Sequence, residues 1–307
     1  MKPLRRLRPG DRIALVAPAS SFPPEEIEPG VAELRRLGFE AVYDNSIFEK
    51  AHFTAGTAEV RAKAIHTAWM DPSIAALIAV RGGYGSAQLL PLLDVDLMVS
   101  ARKPLIGYSD ITALLNLQVR SGLAAIHGPM IDRRFSKGPA AYHVDSFMKV
   151  VTAPEPAGEM RPDQLDSFQG GEHRGTLVGG TVAQLVASMG TPWAFDPPQG
   201  CVLFLEDIGE RPYRVHRMLT QLAQSGILAR AGAVVFGEFP GCDEPGGAGP
   251  AIRDVLQEFA KGLNGPVLFN FPSGHTKGAT WTVPFGVDAV VTGGSAARLS
   301  ILEAAVE

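Results

Sequence analysis

The chain has 307 residues, 46% of them apolar and 20% charged, with a formal net charge of -4 at pH 7. That length holds two domains or one large one, the composition is that of an ordinary soluble globular protein, and the absence of a basic run along any helix face argues against a nucleic-acid partner. No segment approaches the roughly 18 apolar residues of a membrane span, and two cysteines without CxxC spacing, Cys201 and Cys242, read as reduced structural thiols.

The first segment, "MKPLRRLRPGDRIALVAPAS", has the basic, apolar and small residues of a signal peptide in the right order. Asp11 and Arg12 abut a short apolar run, however, so a first strand over 12–17 and a cytoplasmic protein are expected. "PEEIEPGVAELRRLGF" follows as a helix, with Val31, Leu34 and Leu37 on one face and Gly38 at its end. "EAVYD" is a short strand, "TAEVRAKAIHTAWMD" an amphipathic helix, "IAALIAVRGG" a buried strand and "SAQLLPLL" a helix. "KPLIGYSD", "ITALLNLQVRSG" and "AAIHGPM" continue as strand, helix and strand. Such alternation implies a parallel sheet with right-handed crossovers. The expected fold is α/β, with a Rossmann-like or flavodoxin-like N-terminal domain over residues 1–133.

Residues 134–174 are rich in Pro, Gly and charge and read as a connector. A smaller C-terminal α/β domain is expected over 175–307. It begins with "RGTLVGGTVAQLVASMG" as strand, Gly-Gly turn and helix, and continues with the strand "GCVLFLEDIGE" and the helix "RPYRVHRMLTQLAQSGIL". A further strand, helix and strand lead to a terminal β-hairpin over "TWTVPFGVDAVVTGG" and "ARLSILEA".

Ligands of open α/β sheets sit beyond the carboxyl ends of the strands. Four strands here end in polar groups: "AVRGGYGS", "LIGYSD", "LFLEDIGE" and "NFPSGHT". Ser109 lies where a strand becomes a helix, so its hydroxyl belongs at the sheet rim, near amides that favour an oxyanion. G-x-S-x is close to a nucleophile elbow, with Ile111 in place of the last glycine. The competing reading is a helix cap, for which Ser109 or Asp110 serves equally well. A serine needs a base. Of seven histidines, His127 and His275 follow apolar strands beside glycines. His275 projects from a loop, and His127 suits a buried structural role. Glu206 and Asp207 end one strand, and alternation sends them to opposite faces without saying which faces the site. Arg81, beside Gly82 and Gly83, is placed to hold a carboxylate. "RGGYGS" is not a full phosphate-loop or dinucleotide motif, and no compact metal motif occurs.

"GDRIALVAPAS", "AVRGGYGSAQLLPLLD", "KPLIGYSDITALL", "IHGPM", "LFLEDIGERPYRVHRMLTQL" and "FPSGHT" resemble, in order, the motifs of the LD-carboxypeptidases, the muramoyl-tetrapeptide carboxypeptidase family of serine peptidases. The resemblance runs from about residue 10 to residue 290. It implies a Ser-Glu-His triad of Ser109, Glu206 and His275, the serine in the N-terminal domain and the other two in the C-terminal domain. It implies an oxyanion hole from the amides of Asp110 and Gly83, and a substrate contact at Arg81, with Gly82 and Tyr84 beside it. The implied reaction releases the terminal D-alanine of a murein tetrapeptide in cytoplasmic cell-wall recycling, with no cofactor or metal, in a homodimer that needs no membrane. A sister branch hydrolyses an amide in a peptide–nucleotide antibiotic, and a non-catalytic muropeptide- or nucleotide-binding module is the alternative from another class. Trp281 and residues 134–174 match the family motifs least, and both are candidates to line the substrate end of the site.

Overall fold

The computed structural model describes residues 1–247 and 249–307, which form strands β1–β14 and helices α1–α9 in chain order. They divide into two compact units. The first comprises Met1–Glu155, Gly278–Gly286 and Ala304–Glu307, and the second Pro156–Lys277 and Val287–Glu303.

In the first unit, β1 (Arg12–Val16), β2 (Glu40–Val42), β3 (Ile74–Ala79), β4 (Leu105–Gly107) and β5 (Ala125–His127) alternate with α1 (Ile27–Arg36), α2 (Ala58–Met70), α3 (Val95–Ala101) and α4 (Thr112–Arg120). The first five strands are parallel, and with β12 (Val283–Phe285) at one edge the sheet order is β12-β5-β4-β3-β1-β2. Central strands covered on both faces read as unbroken apolar runs. In β3, Ala76, Leu77, Ile78 and Ala79 are fully buried, each large side chain contributing about 1.5–3 kcal/mol. Polar caps set the helix starts: Thr57 accepts from the Val60 amide and Asp94 from the Leu97 amide.

The second unit holds an eight-stranded sheet in the order β6-β14-β13-β8-β9-β10-β11-β7. β8 (Gly171–Thr181), β9 (Cys201–Glu206), β10 (Ala231–Gly237) and β11 (Val267–Phe271) are its parallel centre. β6 (Gly158–Met160), β7 (Asp166–Gln169), β13 (Val287–Gly293) and β14 (Arg298–Ile301) add antiparallel flanks. Its helices are α6 (Val182–Ala187), α7 (Pro212–Gln224), α8 (Ile227–Arg230) and α9 (Ile252–Ala260). Cys201 and Cys242 are buried and free, and burial pushes their thiols up to about 11 and about 12.

Several elements differ from the sequence expectation. The segment 134–174 is not one connector. It supplies α5 (Val144–Thr152) to the first unit and then β6, β7 and the start of β8 to the second. The division between units falls after Glu155, not near residue 133, and residues 278–286 rejoin the first unit, where β12 (Val283–Phe285) pairs antiparallel with β5. Only the 287–301 part of the expected terminal hairpin, β13 with β14, exists as such. Gly179-Gly180 is not a turn, because β8 runs on to Thr181. A Cβ on Gly179 would lie 1.9 Å from the Phe204 carbonyl oxygen, so glycine is required there by the close approach of β9. "SAQLLPLL" forms only a 3-10 turn at Ser86–Leu89. No helix of the described residues is long and apolar enough to cross a membrane.

Candidate active site

In the first unit the loops after β1, β3 and β4 pack together at the carboxyl edge of the sheet. Ser109 follows β4 with φ +63°, a left-handed conformation that is costly for a residue with a Cβ. It opens a 3-10 turn, Ser109–Ile111, that feeds α4. The cap reading of this segment does not hold: neither helical start carries a side-chain cap bond. Asp110 instead turns inward. Its Oδ2 accepts the Ser86 amide at 2.7 Å, and the Ser86 hydroxyl donates to the Asp110 carbonyl. Burial pushes the Asp110 carboxyl above its usual range, and the bonds from Ser86 oppose that rise.

Gly82 lies against the serine. A Cβ there would stand 2.8 Å from the Ser109 Cβ and 3.0 Å from its Oγ, so a side chain at 82 would displace the hydroxyl. Ser20 links the glycine loop to the end of β1: its amide donates to the Gly82 carbonyl at 3.2 Å, and its Oγ accepts the Tyr84 amide at 3.1 Å. Gly83 takes φ +98°, which puts its own amide plane in an orientation that favours glycine.

Sequence reasoning missed the residue that ties these loops together. Arg61, buried in α2, donates to the carbonyls of Pro18 at 2.6 Å, Gly85 at 2.8 Å and Gly56 at 3.2 Å, and to Gln88 Oε1. Its guanidinium spans the loops after β1 and β3 as an internal strut, and burial lowers its pKa. The signal in the sequence was an arginine on the otherwise small, apolar face of Ala64 and Ala68, which no spacing rule marks as special.

Arg81 is half-exposed and tethered. Its Nε lies 3.2 Å from Asp132 Oδ2, and its Nη1 donates to the Ser21 carbonyl at 2.9 Å. Burial and the neighbouring Glu26 charge push the Asp132 carboxyl up, while Arg81 pulls it down. His127 has no exposed surface and packs between the rings of Tyr108 and Phe285, at 6.0 and 5.1 Å. Trp281 stacks on His143, with centroids 3.9 Å apart and planes 12° from parallel.

The second unit brings Glu206 and His275 together. β9 ends at Glu206, which is fully buried. The turn after β11, with Gly274 at φ +79°, returns His275 to it. Glu206 Oε2 accepts both the His275 amide at 3.0 Å and the ring Nδ1 at 2.7 Å, and Oε1 accepts the Thr181 hydroxyl. Thr181 faces Glu206 in the β8–β9 register. Three donors thus offset the cost of burying the carboxylate. The Nδ1 contact assigns the ring proton to that nitrogen and leaves Nε2 as the basic one. A Cβ on Gly237 would lie 2.7 Å from the Glu206 Cβ, so the neighbouring strand admits the glutamate only because it carries glycine there. Lys277 closes the loop by donating its amide to buried Glu238 at 2.9 Å.

Asp207 takes separate partners, the amides of Ala183 and Ile208. Burial, reinforced by the adjacent Glu206 charge, pushes its carboxyl up from 3.8 to about 7. Native Asp207 therefore holds its proton through a window, about pH 4 to 7, in which the unfolded chain has lost it. Its contribution to stability is full below about pH 4 and is lost as pH rises toward 7. Asp207→Asn does not titrate. Thermal melts should show the variant gaining on the wild type between pH 5 and pH 8; a pH-independent difference would contradict this assignment.

Residues 13–128 match the LD-carboxypeptidase N-terminal domain, and residues 174–291 match the LD-carboxypeptidase C-terminal domain. This chain belongs to the LD-carboxypeptidase family. A putative carboxypeptidase of Streptomyces coelicolor is 38% identical over 92% of this chain and 91% of its own length. The murein tetrapeptide carboxypeptidase of Pseudomonas aeruginosa is 33% identical over 92% of this chain and 93% of its own. Among solved structures, the microcin C7 self-immunity protein MccF, known from Escherichia coli, superposes with a TM-score of 0.90 at 25% identity over all of both chains. The family is one of carboxypeptidases and related hydrolases, and the chain is built from two α/β units like its structural relatives.

Proposed function

We propose that the protein is a serine-type LD-carboxypeptidase that releases the terminal D-alanine of murein tetrapeptide. Ser109 is the nucleophile, His275 its base and Glu206 the acid that holds the base. The 2.7 Å bond between Glu206 and His275 Nδ1 carries the reading. A buried carboxylate on one ring nitrogen is what a general base needs: it fixes the tautomer and stabilises the imidazolium that forms. The left-handed backbone of Ser109 adds support, because strain at a serine between strand and helix belongs to nucleophile elbows.

In this mechanism His275 Nε2 takes the hydroxyl proton as Ser109 Oγ attacks the carbonyl before D-alanine. The amides of Asp110 and Gly83 receive the oxyanion, each such donor lowering the barrier by about 3 kcal/mol. The imidazolium then gives its proton to the departing amine, and water, deprotonated by the same nitrogen, hydrolyses the acyl-enzyme. The reading includes a cytoplasmic homodimer as its physiological form.

Arg81 takes the substrate's terminal carboxylate, with Asp132 holding the guanidinium in place. Arg81→Ala should raise KM for tetrapeptide about tenfold to a hundredfold, the cost of leaving a carboxylate without its charged partner. An unchanged KM would remove the residue from the binding site.

A second reading, hydrolysis of an amide in a peptide–nucleotide antibiotic, is favoured by the likeness to the microcin C7 self-immunity protein. One experiment separates the two. The protein is incubated with murein tetrapeptide and, in parallel, with a peptidyl-adenylate analogue, and the products are read by mass spectrometry. Released D-alanine is the expected result. Freed nucleotide with no D-alanine would replace the first reading by the second.

A further inference from the structure

A buried cation and a buried anion grip one peptide unit of the glycine loop. Arg61 is 3% exposed and Asp110 2%. Arg61 Nη1 donates to the Gly85 carbonyl at 2.8 Å. The amide of the same peptide unit, that of Ser86, donates to Asp110 Oδ2 at 2.7 Å. The peptide dipole thus lies between opposite charges, its oxygen on the guanidinium and its hydrogen on the carboxylate. The Gly85 amide adds a weaker bond to the same carboxylate. Burial pushes the Asp110 carboxyl up and the Arg61 guanidinium down, and the attraction between the two opposes both shifts.

The surroundings close the joint. Gly85 takes φ +117°, and a Cβ there would lie 2.5 Å from Thr54 Cγ2 and 3.2 Å from Arg61 Nη1. The Ser86 hydroxyl donates to the Asp110 carbonyl. Earlier in the loop, a Cβ on Gly83 would stand 2.6 Å from Ser20 Oγ, and one on Gly82 would stand 3.4 Å from the Asp110 amide nitrogen. The loop is therefore fastened at one end by Ser20 and at the other by Arg61 and Asp110, with its first glycine against the nucleophile turn. Buried ion pairs add little net stability, because desolvation offsets their attraction. What two charges around one peptide do fix is its place and orientation.

We propose that Arg61 and Asp110 are positioning residues that act as one unit to set the spacing of the two oxyanion donors. The proposal rests on the reading above, in which the amides of Asp110 and Gly83 receive the oxyanion. One donor belongs to Asp110 itself, and the other lies two residues before Gly85 in the loop that the Asp110 carboxylate holds. The clamp thereby ties one donor to the other. A loop displaced by about 1 Å would slow the chemical step by up to about a hundredfold. Arg81 keeps its own anchors, Asp132 and the Ser21 carbonyl, so binding is left in place.

A double-mutant cycle in the rate of fluorophosphonate modification of Ser109 tests this without any peptide substrate, because the phosphoryl oxygen draws on the same donors. Asp110→Asn keeps the shape and removes the charge; Arg61→Lys keeps the charge and reaches fewer carbonyls. Each should slow the limiting rate about tenfold to a hundredfold, with the half-saturating reagent concentration unchanged within about twofold. The double variant should be no more than about threefold slower than the slower single variant, because both residues act on one peptide. All four proteins are compared well below their lowest melting temperature, where a residue that only supports the fold leaves the rate alone. Single variants with wild-type rates, or losses that multiply in the double variant, overturn the proposal. If Asp110→Asn does not fold, Ser86→Ala carries the test, since it deletes one hydroxyl from the joint. It should slow modification at least about threefold, and a wild-type rate would overturn the proposal. D-alanine release from tetrapeptide is read separately. Its absence from a wild type that reacts with the fluorophosphonate would end the murein reading and not the clamp.

Discussion

Ser109→Ala should lower kcat for D-alanine release by about 10⁴- to 10⁶-fold while the protein stays folded. Without the hydroxyl there is no acyl-enzyme, and what remains is the contribution of binding and of the oxyanion donors. The size of the loss matters, because a serine that only shaped the turn would cost far less when shortened to alanine. Stability provides the second half of the test. Ser109 sits at φ +63°, where glycine has no steric penalty. Ser109→Gly should therefore be as inactive as Ser109→Ala and yet melt at a higher temperature, with about 0.5–1 kcal/mol of backbone strain relieved. A gain in stability with a loss of activity at one position is the signature of strain kept for function. Thermal melts and initial rates on the same two variants check both halves. Retained turnover in either variant would remove Ser109 from the chemistry.

Glu206→Gln should cost about 10⁴-fold in kcat, the scale seen when the acid that orients a catalytic histidine loses its charge. The residue is fully buried, and its Oε2 holds both the amide and Nδ1 of His275. An amide in its place has one acceptor oxygen where the carboxylate has two. If that oxygen keeps the Thr181 hydroxyl, the amide nitrogen faces Nδ1 and drives the proton to Nε2, the nitrogen needed as the base. Nitrogen NMR of the imidazole should show the change of tautomer in the variant. A variant with wild-type kcat, or one whose His275 tautomer is unchanged, would contradict the assigned role. His127→Ala is the companion control. A ring enclosed by Tyr108 and Phe285 acts on stability, so this variant should lower the melting temperature and retain more activity than His275→Ala.

The legible parts of the fold are those whose signals are local. Continuous apolar runs such as "IAALIA" and "CVLFL" lie in the buried parallel strands β3 and β9, and of the stripe Val215, Met218, Leu219 and Leu222 that the spacing predicts on α7, all but the half-buried Met218 are buried. What stayed hidden depends on distant partners. β6 pairs with β14 and β7 with β11, each across about a hundred residues or more, and neither three- or four-residue strand has enough alternation to be read alone. The return of residues 278–286 to the first sheet is equally non-local: Val283 pairs with His127, and Gly286 at φ +77° separates β12 from β13 inside what reads as one strand.

The candidate site shows the same division. The polar ends of four strands pointed to the residues, and chemistry singled out a loop histidine over a buried one. Periodicity left Glu206 and Asp207 undecided because both are buried: the distinction lies in who donates to each, His275 and Thr181 to one, Ala183 and Ile208 to the other. Arg61 was invisible because all its partners but Gln88 are backbone carbonyls, drawn from three separate loops, which leave no mark on residue identity.

The most direct test of the central claim, that His275 activates the Ser109 hydroxyl, is the rate at which a serine-directed fluorophosphonate modifies the protein, read by intact mass with peptide mapping. The expected result is a single adduct on Ser109 in the wild type, formed at least about a thousandfold more slowly after His275→Ala. An adduct elsewhere, or one on Ser109 at a rate indifferent to His275, would contradict the account.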